Sequence, residues 1–166
     1  MPPHSGPLLV DTNVILECHR TGCWRALTSR YPTETVEECV KETQTGFQRR
    51  EPEQQIVEEM LRQSLASVRA VSEQDLAAAL VREPLIGHLD AGERHLWAHA
   101  LTRADAWILC GPDKASLRIG VSLGFKTRIV SLERLLHDIG HRSKTTLGRQ
   151  YGQKWLDDWF STTLFR

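Results

Sequence analysis

The sequence predicts an α/β fold in which a central, mostly parallel sheet carries helices on both faces and a helical extension follows at the C-terminus. Short apolar runs, Pro7-Leu8-Leu9-Val10 and Ala106-Trp107-Ile108-Leu109-Cys110, have the character of buried strands. Segments of helical periodicity separate such runs, and short strands alternating with helices close into right-handed crossover units. The length, 166 residues of which 40% are hydrophobic, suits a single domain with a sizeable core.

Taken in order, the run ending at Val10 is the first strand, and Val14 to Arg20 begins a helix after it. Thr35 to Phe47 reads as a second helix with Val36, Cys39, Val40, Thr43 and Phe47 on one face. Residues 48–55 are polar and contain Pro52, which marks an inserted loop before helical periodicity resumes over Ile56–Leu65. Residues 66–71 alternate as a strand does. The helix after them opens on Ser72 as N-cap, with Asp75 three residues later.

Residues 89–104 form the strongest helix, because Glu93, Leu96, Trp97, Ala100, Leu101 and Ala104 follow helical spacing and Asp90 stands at the N-cap. Two further strands, Ala106–Cys110 and Arg128–Val130, each precede a helix. Gly124 and Gly140 sit where those helices stop.

Composition narrows the function. No basic segment leads into an apolar run suited to export, and nowhere do about 18 uninterrupted apolar residues occur, so a cytoplasmic protein with no membrane partner is expected. Cys18, Cys23, Cys39 and Cys110 form no CxxC pair; the spacing of Cys18, His19 and Cys23, like that of His137 and His141, is too loose for a zinc site. Net charge is zero, but acids dominate residues 31–60 and bases residues 111–154. That asymmetry allows a phosphate-facing edge on a neutral protein.

In open α/β sheets ligands sit beyond the carboxyl ends of the strands. Asp11 falls at such an end, as does Asp113, while Glu93 lies in the first turn of its helix in phase with the apolar stripe. Carboxylates converging there repel one another and favour protonation. A divalent cation relieves the conflict, and an all-oxygen donor set suits Mg²⁺ or Mn²⁺. Ions so held activate water and stabilise a leaving oxygen, which points to a metal-dependent nuclease.

The segments LLVDTNVIL, TVEEC, LDAGERHLWAHAL and ILCGPDKASLRIGVSLG, followed by RIVSLERLL, resemble the PIN-domain nucleases, the VapC-like branch in particular. The resemblance spans about residues 7–140. It implies a three-layer fold over residues 1–142 and a nuclease site in which Asp11, Glu38, Glu93 and Asp113 hold Mg²⁺ or Mn²⁺ and its attacking water, with Asn13 orienting Asp11. Family spacing selects Glu38 as the second acid, whereas helical phase ranks Glu42 first. Asp90 serves as cap or additional ligand. The sequence Cys110-Gly111-Pro112 departs from the family, leaving one carboxylate where a pair is usual and the occupancy of a second metal open.

The implied activity is endoribonucleolytic hydrolysis of RNA by a VapC-type toxin, with a cognate antitoxin protein as partner and a homodimer as the assembly. Two alternatives stand beside it: a nuclease of RNA processing without an antitoxin, and a PIN-type binding module that does not cut. Acids at all four positions argue against the last. Lys114 and Arg118 are candidate RNA contacts.

The extension, residues 143–166, is rich in aromatics. Tyr151, Trp155 and Trp159 recur at helical spacing, and Phe160 and Phe165 add apolar bulk. The stripe is expected to pack on the domain or on a second copy of the chain; stacking on unpaired bases is the alternative.

Overall fold

The computed structural model describes residues 4–164, so Phe165 lies outside the described residues. Four parallel strands, β1 (Leu8–Val10), β2 (Thr33–Val36), β3 (Ser67–Arg69) and β4 (Ile108–Cys110), form one sheet in the order β3-β2-β1-β4. Leu8 stands beside both Thr33 and Ile108, and Val10 beside Cys110. The helices between them are α1 (Thr12–Thr21), α2 (Trp24–Arg30), α3 (Glu37–Thr43), α4 (Glu58–Ser64), α5 (Glu73–Arg82) and α6 (Ala91–Leu101). After β4 come α7 (Lys114–Ser122), α8 (Leu132–Asp138) and α9 (Gln153–Leu164).

Successive strand residues face opposite sides of a sheet, and here both sides are covered. Leu8, Val10, Ile108 and Cys110 pack with Val14 and Ile15 of α1, Leu27 of α2, Leu61 of α4 and Leu135 of α8. Leu9 and Leu109 pack the other way, against Ala79 of α5, Leu96 and Trp97 of α6 and Ile119 of α7. Burial on both faces explains why β1 and β4 read as unbroken apolar runs. The fold is a three-layer α/β arrangement.

Three local expectations change. Thr35 and Val36 belong to β2, and the helix begins only at Glu37. Partners remote in sequence make this polar strand tolerable: the Thr35 hydroxyl donates to the Val10 carbonyl at 2.7 Å, while the buried Glu34 carboxylate accepts from Ser67 and from Arg103, both at 2.8 Å. The chain turns at Gly46, so Phe47 leaves the expected helical stripe and lies in a short 3₁₀ turn. Residues 128–130 provide a single bridge, Leu109 to Ile129, rather than a strand. Helix α2 was not foreseen in the periodicity, whereas Gly124 and Gly140 end α7 and α8 as expected, with φ of 78° and 70°.

The extension docks on the same body. Glu17 of α1 accepts from the Gly148 amide at 2.6 Å, Arg20 donates to the Thr146 carbonyl at 3.0 Å, and Tyr151 is buried in the first core. On α9 the inward positions are Leu156 and Phe160, clustered with Leu117 and Ile129. Trp155 and Trp159 are half-buried and pack against that cluster, so with the buried Tyr151 the predicted aromatic stripe does pack on the domain, while Leu156 and Phe160 sit deepest. All four cysteines are buried free thiols. Among the described residues no helix is long and apolar enough to cross a membrane.

Candidate functional site

Three helices open on an aspartate. Asp11 Oδ1 accepts from the Val14 amide at 2.9 Å, Asp90 Oδ1 from the Glu93 amide at 2.9 Å, and Asp113 Oδ1 from the Ser116 amide at 3.0 Å. Capping engages one carboxylate oxygen and leaves Oδ2 for another partner. The positive ends of α1, α6 and α7 thereby favour negative charge at their starts. Asp11 directly follows β1 and Asp113 follows β4, so two of the three caps stand at the carboxyl edge of the sheet.

Two glutamates complete the cluster. Glu93, in the first turn of α6, is only 6% exposed, and its Oε1 is buried without a hydrogen-bond partner. Glu42, at the far end of α3, is held from two sides: the Thr12 hydroxyl donates to Oε2 at 2.6 Å and the Gly92 amide to Oε1 at 2.8 Å. A side chain at residue 92 would place Cβ 2.7 Å from both Glu42 oxygens, and one at residue 111 would place it 3.0 Å from Asp11 Oδ2. A Cβ at residue 92 would therefore have to push the Glu42 carboxylate aside, whereas one at residue 111 would press closely on Asp11.

Burial and mutual repulsion dominate the electrostatics. Desolvation pushes the Asp11 carboxyl up to about 7 against the opposing pull of the Val14 amide, with Asp90, Asp113 and Glu42 adding to the rise. Glu93 is pushed up to about 9, by burial first and then by Asp90, Asp113, Asp11 and Glu42. Glu93 thus feels four other carboxylates and Asp11 three. A cleft of about 270 Å³ opens over Asp11, Glu42, Asp90 and Glu93.

Of the residues expected from sequence, Asp11, Glu93 and Asp113 converge, and Asp90 joins them. Glu38 does not. Its half-exposed carboxylate pairs with Lys41 at 3.2 Å, away from the cleft. Glu42 lies one turn further along α3, about 6 Å on, level with Thr12 and Gly92, so helical phase was the better guide than family spacing. Asn13 is exposed at the cleft wall; the Val14 amide, rather than Asn13, orients Asp11. Lys114 and Arg118 lie outside the cleft, in a separate groove beside α9.

The cation at the cleft is Arg50, which sequence reasoning assigned to an inserted loop. Its Nη2 donates to the Glu42 carbonyl at 2.9 Å and its Nη1 is buried without a partner, burial holding its pKa below the usual value. No periodicity or motif marks this position. Thr12 and Gly92 were also missed as supports for Glu42, although both lie inside the DTN and DAGE segments.

Among the described residues no three His, Cys, Asp or Glu side chains stand close enough together to hold a metal ion as they are placed. The fit lies in the donor chemistry. An all-oxygen set, two carboxyls disfavoured as anions, and an unpartnered buried Glu93 oxygen are what a hard divalent cation would satisfy. Comparison of the chain with protein families, with curated proteins and with solved structures returned no match. The site's own chemistry is therefore the basis for assigning its role.

Proposed function

We propose that this protein is a Mg²⁺- or Mn²⁺-dependent endoribonuclease of the PIN type, a cytoplasmic VapC-like toxin that pairs with itself and is held in check by a cognate antitoxin. The observation that carries the reading is Glu93, a buried glutamate with an unpartnered oxygen beside four other carboxylates. Asp11, Glu93 and Asp113 would hold the cation, with Glu42 and Asp90 beside them. When bound it supplies positive charge to the phosphodiester and an acidified water as nucleophile.

The chain's own residues do the remaining work. Thr12 and Gly92 fix both oxygens of Glu42, so this carboxylate keeps one orientation. Arg50, anchored through Nη2 in the wall of the cleft, places a guanidinium charge there that offsets negative charge growing on the phosphate during displacement. Asp11 and Glu93 carry protons near neutrality, which cation binding must displace.

Calorimetric titration of Mn²⁺ into the full-length protein, in two buffers of different ionisation enthalpy, measures that proton release. At pH 7 we expect one to two protons released per cation, roughly ten- to a hundredfold weaker binding at pH 6, and cutting of RNA at mapped phosphodiesters only when a divalent metal is present. Absence of both cation binding and cleavage overturns the proposal.

A further inference from the structure

A second groove, of about 540 Å³, runs between α7 and α9. Its lining joins two half-buried indoles, Trp155 and Trp159, to the cations Lys114, Arg118 and Arg149. Among the described residues none of these three cations pairs with a carboxylate; Asp158, which also lines the groove, is taken by Lys154 at 2.6 Å. The groove is therefore net positive. Leu156 and Phe160 sit deepest in the packing of α9, and Trp155 and Trp159 pack against that cluster while the part of each indole left exposed lines the groove.

Geometry favours an unpaired polynucleotide. Trp155 and Trp159 are one helical turn apart, about 6 Å, wider than the rise of about 3.4 Å between stacked bases of a duplex strand. Indoles so spaced accept splayed bases, each with a π-face of its own. Phosphates carry the charge that Lys114, Arg118 and Arg149 lack. The groove also leads somewhere: Lys114 immediately follows Asp113, and Tyr151, two residues from Arg149, donates to the Asn13 carbonyl at the cleft wall, at 3.3 Å.

We propose that the groove between α7 and α9 is a stacking track for an unpaired RNA strand, in which Trp155 and Trp159 take bases, Lys114, Arg118 and Arg149 take phosphates, and the strand is led to the acid cleft. The choice of RNA rests on the nuclease reading of that cleft; the stacking chemistry does not.

The test is a binding titration of the full-length protein, in EDTA so that nothing is cut, with a twelve-nucleotide RNA strand, a DNA strand of the same sequence and a blunt RNA duplex. The RNA strand should quench tryptophan emission and bind at least tenfold more tightly than the duplex, with DNA weaker than RNA. Trp159→Ala should weaken binding about tenfold, and Trp159→Phe much less. Arg118→Ala with Arg149→Ala, both on the surface, should keep the parent melting temperature while flattening the slope of log Kd against log salt by about 0.7 per cation removed. Duplex binding as tight as the strand's, or a salt slope indifferent to both arginines, overturns the track. Tighter binding of DNA overturns the choice of RNA. A strand that binds through these residues but is never cut with Mn²⁺ sinks the nuclease reading alone, whereas cutting with unchanged KM in the groove variants sinks the track alone.

Discussion

Replacing Glu93 by Gln should make the metal-free protein more stable, increasingly so as pH rises. A glutamate in the unfolded chain titrates near 4.5, whereas burial and four neighbouring carboxylates push the folded Glu93 to about 9. Between these values the folded state keeps a proton that the unfolded state has released. Its contribution is thus fully present below pH 4.5 and is lost as pH climbs towards 9. At about 1.36 kcal/mol for each pH step above the unfolded value, the loss at pH 7 is on the order of 3 kcal/mol, and at pH 5 it is below about 1. Gln has the same shape and no charge to desolvate, so it escapes the loss at every pH. Urea unfolding of both proteins at pH 5, 7 and 8 measures the difference, and Mn²⁺ should narrow it by stabilising only the parent. Equal stabilities across that range, or a variant less stable at pH 8, would show that Glu93 is an ordinary satisfied anion and would refute the reasoning.

Asp11→Asn keeps a side chain that caps helices well, so it should leave melting within a few degrees of the parent while reducing metal-dependent cleavage at least a hundredfold. Glu42→Gln should cost far more activity than Glu38→Gln, because Glu38 holds only a surface pair with Lys41 and its loss should stay within about 0.5 kcal/mol in stability; equal kinetic losses would contradict the cleft geometry. Gly92→Ala should displace the Glu42 carboxylate and lower kcat with little change in unfolding, since Ala suits a helix but its Cβ meets both Glu42 oxygens. Ending the chain at His141 removes the burial of Tyr151, Leu156 and Phe160, on the order of 5 kcal/mol at about 1.5–3 kcal/mol per side chain; an unchanged melting temperature and mass by light scattering would show that the extension does not support the core.

The residues themselves determined much of this molecule, wherever the physics is local. An apolar run ending at Asp11, and Asp90 and Asp113 at helix starts, are capping arrangements fixed over three or four residues, and each is realised. The burial of Glu93 follows from its phase within α6, again a property of one short segment. Tertiary structure decided the rest. Strand β2 hides among Thr and Glu residues because its polar groups find partners only at Val10, Ser67 and Arg103. Glu42 displaces Glu38 because α3 packs against the start of α6, bringing the Gly92 amide 50 positions along the chain to its carboxylate. Arg50 reaches the cleft from a loop without periodicity, and Leu156 and Phe160 sit deeper than the tryptophans because Leu117 and Ile129 lie opposite them. In each case the deciding contact joins segments distant in sequence, and only folding brings them together.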